Sequence, residues 1–558
     1  MNTDIFDHIP AAPWMLVGAA AFGIITVLMQ KLLRIGSRPA HMPPGPPTVP
    51  FFGNQKQVAG ALHPEHIYTK WAKEYGPVYT FMNGSQPWVI VTGTAEAEEI
   101  FHKRGSQTAG RPVNRMELTM RSGYFPSFMS GPKWRVTRKL WHSVLNVGAS
   151  RQYLPLQELE AKNLLSDLAH DPDGRSWRKH VERYGGSVAM TMMNGERITT
   201  SSDRAAREII DDLTEFSIHS TKAKWIESFP LAWSLPEWAV PARREASRIA
   251  ERHMKLIMGH WNVTKKRVAE GLSLPCFNKV IMDRLRDGYL ANRLTENEAA
   301  EAGEILVTAA TDTTASSLIN WIGAMALFPE VQRKAQEEID RVIGPDRLPN
   351  ENDAPDLPYV RQIVQELHRW VTAVPLGVWH ANTEPFQWRG YLIPTGTTMI
   401  INAYGIHGDP AQYPDPKAFK PERWEGKLES TASMTDERIG ARSELFAFGA
   451  GRRICPGQHV AERGLFLAIS RVLWGFTIEK AKDDTTGEEL PIDMDSIRPG
   501  IVVALNEFPA VVKPRSAEKA RLATELWERD RDEFLDKNLQ WKKSPEGVED
   551  VMNKAVGF

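Results

Sequence analysis

The chain has 558 residues, of which 42% are apolar, and sets 68 Lys and Arg against 69 Asp and Glu for a net charge of -1. That length can bury a large core, and the charge balance excludes a partner held by global electrostatics, such as nucleic acid. With only Cys276 and Cys455 present, a disulfide framework is also excluded and a reducing compartment is favoured for the bulk of the chain.

The first element is Ala11 to Met29, nineteen residues without a charge, which at helical rise nearly match the hydrocarbon core of a bilayer. Asp4 and Asp7 precede it and Lys31, Arg34 and Arg38 follow, so the positive-inside rule predicts a single-pass helix with the remainder of the chain in the cytosol. Residues 1–38 therefore read as a membrane anchor with its flanks. Residues 39–54, with five prolines between Pro43 and Pro50, read as a stiff, non-helical hinge.

Residues 55–512 form the predicted catalytic domain. Two β-rich runs, Val78 to Met82 and Trp88 to Thr92, are joined through Asn83-Gly84 as a hairpin. From Ala95 to Leu294 the pattern is mostly helical. Thr295 with Glu298 three residues on forms a capping box that opens an unusually long helix, running to Leu327. Helices over Pro329–Val342 and Leu357–Trp370 follow, then strand-like pieces between Gly377 and Ile401, and a last helix from Gly457 to Gly475 behind a glycine-rich loop. The predicted class is mainly α with a small β part. Residues 513–558 are a charged extension whose Leu522, Leu526, Phe534, Leu535, Leu539 and Trp541 recur at helical spacing, as on a surface helix.

The chemistry concentrates in FAFGAGRRICPGQ, Phe446 to Gln458. Gly449, Gly451 and Gly457 permit tight turns and close approach to a flat ligand. Cys455 stands at a helix start, where backbone N–H groups and the helix dipole stabilise a thiolate. Arg453 supplies a guanidinium for a carboxylate and Phe448 an aromatic wall. Zinc would need more Cys or His at short spacing, and a nucleophile would need a base that the local sequence does not show. Cys276 is assigned no role.

Phe448, Gly451, Arg453, Cys455 and Gly457 match every fixed position of F-x-x-G-x-R-x-C-x-G, so the chain resembles the cytochrome P-450 family. The resemblance extends from about Pro43 to Pro514 and implies that fold, with one haem-binding globule behind the N-terminal helix. It implies haem b with Cys455 as axial thiolate, Arg453 on a propionate and Phe448 beside the sulfur. Glu366 and Arg369 fit the family's E-x-x-R helix, and Arg423 fits P-E-R-F with Trp424 replacing Phe; these would lock the scaffold behind the haem. Trp134 and Arg138 resemble its W-x-x-x-R helix, and His380 falls where a propionate-binding Arg or His is found.

In the long helix, AATDTT resembles the oxygen-activating A-G-x-D-T-T, which makes Asp312 and Thr313 the acid-alcohol pair that guides protons. Thr313 could instead bond a carbonyl one turn back. Ala310 departs from the usual glycine. The implied activity is monooxygenation of a lipophilic, aromatic-tolerant substrate in the manner of filamentous-fungal secondary metabolism, at the endoplasmic reticulum membrane. Electrons would come from NADPH through a cytochrome P-450 reductase, with cytochrome b5 as a second candidate donor, and Lys133, Arg135, Lys139 and Arg452 are candidates for the docking face. Two rival readings are a haem-thiolate isomerase or dehydratase and a non-catalytic haem sensor or electron carrier. Met120, Phe125, Phe128, Val374, Leu376, Val378 and Ile501 to Val503 are the expected apolar pocket. The aromatic, proline-broken segment Lys224 to Val240 reads equally as a membrane-dipping entrance or as core.

Overall fold

The computed structural model describes residues 11–222, 233–427 and 445–550. Helix α1, Ala11–Leu33, covers the predicted span. Its Val17, Phe22, Ile24, Ile25, Val27, Leu28 and Met29 are all exposed. Even so, among the described residues no helix is long and apolar enough to cross a membrane, so the sequence expectation of a transmembrane helix is met only by an exposed apolar one.

The proline stretch is non-helical, as its residues dictate, yet it is not a free spacer. Pro44 O accepts from Thr80 N at 2.7 Å, His41 O accepts from Leu392 N at 2.8 Å, and Met42 is fully buried. The Asn54 amide donates to Pro47 O while its carbonyl accepts from Met82 N. Gly45 lies so close to the sheet that a Cβ there would stand 2.0 Å from Thr80 O.

That sheet carries β1, Val78–Asn83, and β2, Gln86–Val91, in antiparallel register from Val78↔Val91 to Asn83↔Gln86. The turn is Gly84-Ser85, one residue later than predicted: Asn83 stays in the ladder, and Gly84 at φ 60° takes the left-handed position that a primed turn requires. Among the helices after this hairpin are α2, Arg115–Met120, α3, Pro132–Leu145, α4, Leu154–Ala169, and α5, Trp177–Asn194. They continue with α6, Arg204–Lys222, and α7, Pro241–Ala269.

The long helix α8 spans Glu296–Leu327, 32 residues, and opens on the predicted box: Thr295 accepts from Glu298 N while the Glu298 side chain accepts from Thr295 N. It is buried along most of its length, and α5 crosses it at Gly185, where a Cβ would meet Thr311 O at 3.1 Å. After α9, Pro329–Val342, and α10, Pro358–Trp370, come β3, His380–Ala381, and β4, Thr398–Ile401. They complete a four-stranded sheet in the order β1-β2-β4-β3, with β2 and β4 parallel.

Helix α11, Gln458–Gly475, leads into β5, Phe476–Lys480, which pairs with β6, Ala510–Pro514. The charged extension then forms α12, Ala517–Phe534. This helix is not merely a solvated face: Ala523 and Trp527 are buried, Lys162 of α4 pairs with Asp530, and Leu535, Trp541 and Val548 join the main core.

Candidate functional site

The loop Phe446–Gln458 wraps back on itself so that Cys455 N donates to Phe448 O at 2.9 Å. Gly451, at φ 61°, is irreplaceable on steric grounds, since a Cβ would lie 2.1 Å from Phe101 O. Burial pushes the Cys455 thiol up, while backbone N–H groups of Gly457 and Gln458 and the charge of Arg138 pull it back. The sulfur thus sits at the start of α11 under two N–H groups, as a helix N-terminus can arrange. Cys276, by contrast, is fully buried and held up at about 11 chiefly by that burial, with no cation cluster around it.

Around the loop the fold gathers cations. Trp134 and Arg138 lie one turn apart on α3; Arg138 donates to Ile454 O at 2.6 Å, and the Arg453 guanidinium stacks 3.5 Å from the centre of the Trp134 ring. Arg453 also donates to Ala109 O, Met129 O and Ser130 Oγ. His380, buried in β3, donates from Nδ1 to Thr108 O, which fixes its tautomer. Sequence reasoning missed Arg111: it donates to Ser127 O, Val378 O and Trp379 O, and its only local signal was an arginine before a proline.

These groups disfavour their own charges. Arg453 is lowered to about 9 by burial and by Arg138. Arg111 is lowered strongly by burial, then by Arg453 and Arg138, and His380 is depressed by burial and Arg111. Among the described residues no carboxylate contributes to any of these shifts. A ligand carrying carboxylates would relieve the repulsion, and the three arginines can offer it charge-assisted hydrogen bonds.

Helix α8 runs unbroken through Ala309 and Ala310, so Ala310 leaves the helix intact where a glycine was expected. Both alanines are exposed although the helix is buried on either side of them. Thr313 Oγ donates to Ala309 O at 2.7 Å, the one-turn-back bond open to any helical threonine. Asp312 does not meet Thr313. Its Oδ1 accepts from Arg498 at 2.8 Å and from Ser316 Oγ at 3.4 Å.

Behind the loop, Glu366 of α10 has both oxygens occupied. Arg369 donates to it at 2.9 and 2.7 Å, Lys420 N at 2.9 Å, Arg423 at 3.3 Å and Trp424 Nε1 at 3.0 Å. The departure at Trp424 therefore adds a donor that Phe lacks. Arg369 reaches on to His407 O, and His407 Nε2 accepts from Phe446 N at 3.0 Å. Burial, Arg369 and His368 lower His407 to about 3, so it stays neutral and can accept. A lone histidine far upstream gave no sign of this link to the first residue of the loop. Phe448 packs edge-to-face on His368, with centroids 4.9 Å apart.

Met120, Phe125 and Phe128 share one apolar cluster with Met116, Phe216, Ile305 and Ile501. Leu376 does not: it packs beside Trp379 on the sheet. Of Lys224 to Val240, residues 224–232 lie outside the described residues, while Leu235 and Trp238 are exposed. Lys133, Arg135, Lys139 and Arg452 are exposed, with Lys133 paired to Glu298 and Lys139 over the Tyr289 ring at 5.9 Å.

A family model described as cytochrome P450 matches residues 43–499. The chain is 45% identical over 551 residues to cytochrome P450 monooxygenase alnH of Emericella nidulans, covering 99% of this chain and 98% of that one. It is 37% identical to virE of Hypocrea virens, over 96% of both chains, and 37% identical to fogE of Aspergillus ruber, over 96% of this chain and 98% of the relative; both carry the same monooxygenase name.

Proposed function

The chain belongs to the cytochrome P450 family, and on that premise we propose that it inserts one atom of dioxygen into a lipophilic, aromatic-tolerant small molecule of fungal secondary metabolism. The observation that carries the reading is the pairing of a Cys455 sulfur under two N–H groups with a ring of cations to whose shifts no carboxylate among the described residues contributes. Haem b would fit both: Cys455 would supply the sulfur ligand and Arg138, Arg453 and Arg111 would hold the two propionates, with Trp134 stacked behind Arg453; His380 could join them only as an imidazolium, since its neutral Nδ1–H form leaves Nε2 an acceptor. When bound, it supplies reductive activation of dioxygen at a thiolate-ligated iron.

The chain's own residues do the rest. Phe448 and Gly457 shape the sulfur's surroundings, and Gly457 and Gln458 N–H groups moderate its charge. The Glu366, Arg369 and Arg423 network fixes the loop from behind. The cluster at Phe125 and Phe216 excludes water and orients substrate, and Asp312 and Thr313 move protons along α8. The balance is substrate C–H, O2, NADPH and H+ to substrate C–OH, water and NADP+, with NADPH acting through a separate reductase. That partner, or cytochrome b5, would dock on Arg135, Lys139 and Arg452. Helix α1, with its exposed apolar side chains, would hold the protein on the endoplasmic reticulum.

The reduced protein under carbon monoxide should show the long-wavelength band of thiolate ligation, and Cys455→Ala should lose that band and all turnover. A retained band in Cys455→Ala overturns the assignment. Turnover without NADPH and oxygen would return the function to an isomerase or dehydratase. Removal of residues 1–38 should release the protein from membranes while the band persists; unchanged membrane attachment would show that α1 is not the main anchor.

A further inference from the structure

Arg498 belongs to none of the motifs above, yet it holds the acid of α8. It comes from a narrow hairpin in which Arg498 N donates to Ala504 O, Ile497 pairs with Leu505 and Asn506 N donates to Ser496 O. The base of the hairpin is anchored from two sides, and the end of its turn from a third. Leu505 N donates to Asn320 Oδ1, Arg178 donates to Leu505 O and Asn506 O, and Val503 N, within the turn, donates to Ala373 O. The tip is placed quite differently. A Cβ on Gly500 would meet Ser217 Oγ of α6 at 3.2 Å, and Ile501 packs in the apolar cluster with Phe125, Phe216 and Ile305. One short segment thus touches the substrate pocket at its tip and Asp312 at its base.

The pair itself suits a releasable contact. Arg498 Nη2 to Asp312 Oδ1 is 2.8 Å, with Arg498 46% and Asp312 26% exposed, and half-exposed pairs of this kind are weak and readily exchanged for water. Glu182 faces them from α5 with Arg178 and Glu507 nearby, and burial raises its carboxyl. While Asp312 Oδ1 is engaged by Arg498 and Ser316, the carboxylate is not bonded to Thr313, whose hydroxyl is turned back to Ala309.

Resting on the monooxygenase reading, we propose that Arg498 is a positioning residue that restrains Asp312 until a lipophilic occupant displaces the tip at Ile501. Proton supply then waits on pocket occupancy, because an occupant that shifts the tip destabilises only the restrained arrangement. In its absence, electrons that do arrive leave as peroxide: NADPH, H+ and O2 give NADP+ and H2O2.

The test uses the full-length holoenzyme with reductase and NADPH, and no added substrate. Arg498→Gln should raise NADPH oxidation and peroxide release by about threefold, the scale that loss of an exposed ion pair supports. Arg498→Lys, which keeps the charge, should remain near wild type. The rise should vanish in Arg498→Gln combined with Asp312→Asn, and the solvent isotope effect on NADPH oxidation should fall in Arg498→Gln alone, which a merely structural role would not produce. Ile501→Trp, which crowds the pocket end of the hairpin, should reproduce the rise only when Arg498 is present. An unchanged rate in Arg498→Gln, or a rise that survives Asp312→Asn, overturns the latch. If neither the wild-type holoenzyme nor Arg498→Gln consumed NADPH with reductase and oxygen, the monooxygenase reading itself would fall, and the latch with it.

Discussion

Glu366 shows how a single carboxylate is held by its surroundings. It is fully buried and receives two bonds from Arg369, one from Arg423, one from a backbone N–H and one from Trp424. Removing a buried charge partner costs about 3–5 kcal/mol, because the remaining charges lose their compensation. Losing one neutral donor to a carboxylate costs less, about 1.5–3 kcal/mol. Trp424→Phe should therefore fold, retain cofactor and lower the stability modestly, whereas Glu366→Ala should fail to hold the loop through Arg369 and His407. Urea denaturation with the carbon monoxide band as a second readout checks both; equal losses would show that Trp424 acts by its bulk alone. The same residues show what the sequence makes legible. Cys455 could be read because its loop is contiguous, and Glu366 with Arg369 because they share one helix. Arg111 and His407 could not, because their partners lie far away in the chain and no local pattern marks a residue whose role is set by tertiary approach.

Elements were legible where one residue pattern decides them. The capping box at Thr295, the prolines at 329 and 358, and the two β-rich runs of the hairpin each mark an element. What joins the elements was not visible. Arg121 after α2, Asp212 of α6, His253 of α7 and Glu301 of α8 meet in a buried ion network that carries one charge from each of four segments. Arg121 donates to Asp212 at 2.8 Å, His253 Nδ1 lies 3.1 Å from Asp212, and His253 Nε2 lies 2.6 Å from Glu301. Burial alone would depress His253, but Glu301 and the bonds to Asp212 and Glu301, opposed by Arg121, raise it to about 9. A histidine raised in the folded state contributes stability that is whole below its ordinary value near 6.5 and is lost as pH climbs through 9. Asp212 is shifted the other way, down from 3.8, and its contribution is lost only in acid. Thermal stability should fall between pH 7 and pH 10, and His253→Gln, with a lower plateau, should flatten that part of the profile. A slope unaffected by His253→Gln would place the alkaline loss elsewhere.

At the scale of the whole molecule, the matched family region ends at residue 499, but the core does not. Glu160 of α4 is fully buried with Arg183 and Arg197 on its two oxygens, and Arg197 extends from that pair to Leu539 O at 2.9 Å. Gln540 closes the contact by accepting from Arg197 N and donating to Arg197 O, and Trp541 Nε1 reaches Thr191 Oγ of α5. Trp527 lies 5.3 Å from the Arg197 guanidinium. The amphipathic spacing of this tail was plain in the sequence; that its apolar face is met by α4 and α5 was not, since periodicity names a face and not its partner. Because α5 is the helix that crosses α8 at Gly185, the tail braces the element that carries Asp312 and Thr313. Deleting residues 515–558 would expose what Trp527, Leu535, Trp541 and Val548 cover, at about 1.5–3 kcal/mol for each such side chain. It would also leave Arg197 short of its backbone partner. The sum rivals the whole net stability of a typical domain. The truncated chain should be insoluble or unable to retain cofactor, and the milder Trp541→Ala should lower stability by about 3–5 kcal/mol with the carbon monoxide band intact. If the truncated protein matched the full chain in melting temperature and cofactor retention, the tail would be a passenger and the core would close without it.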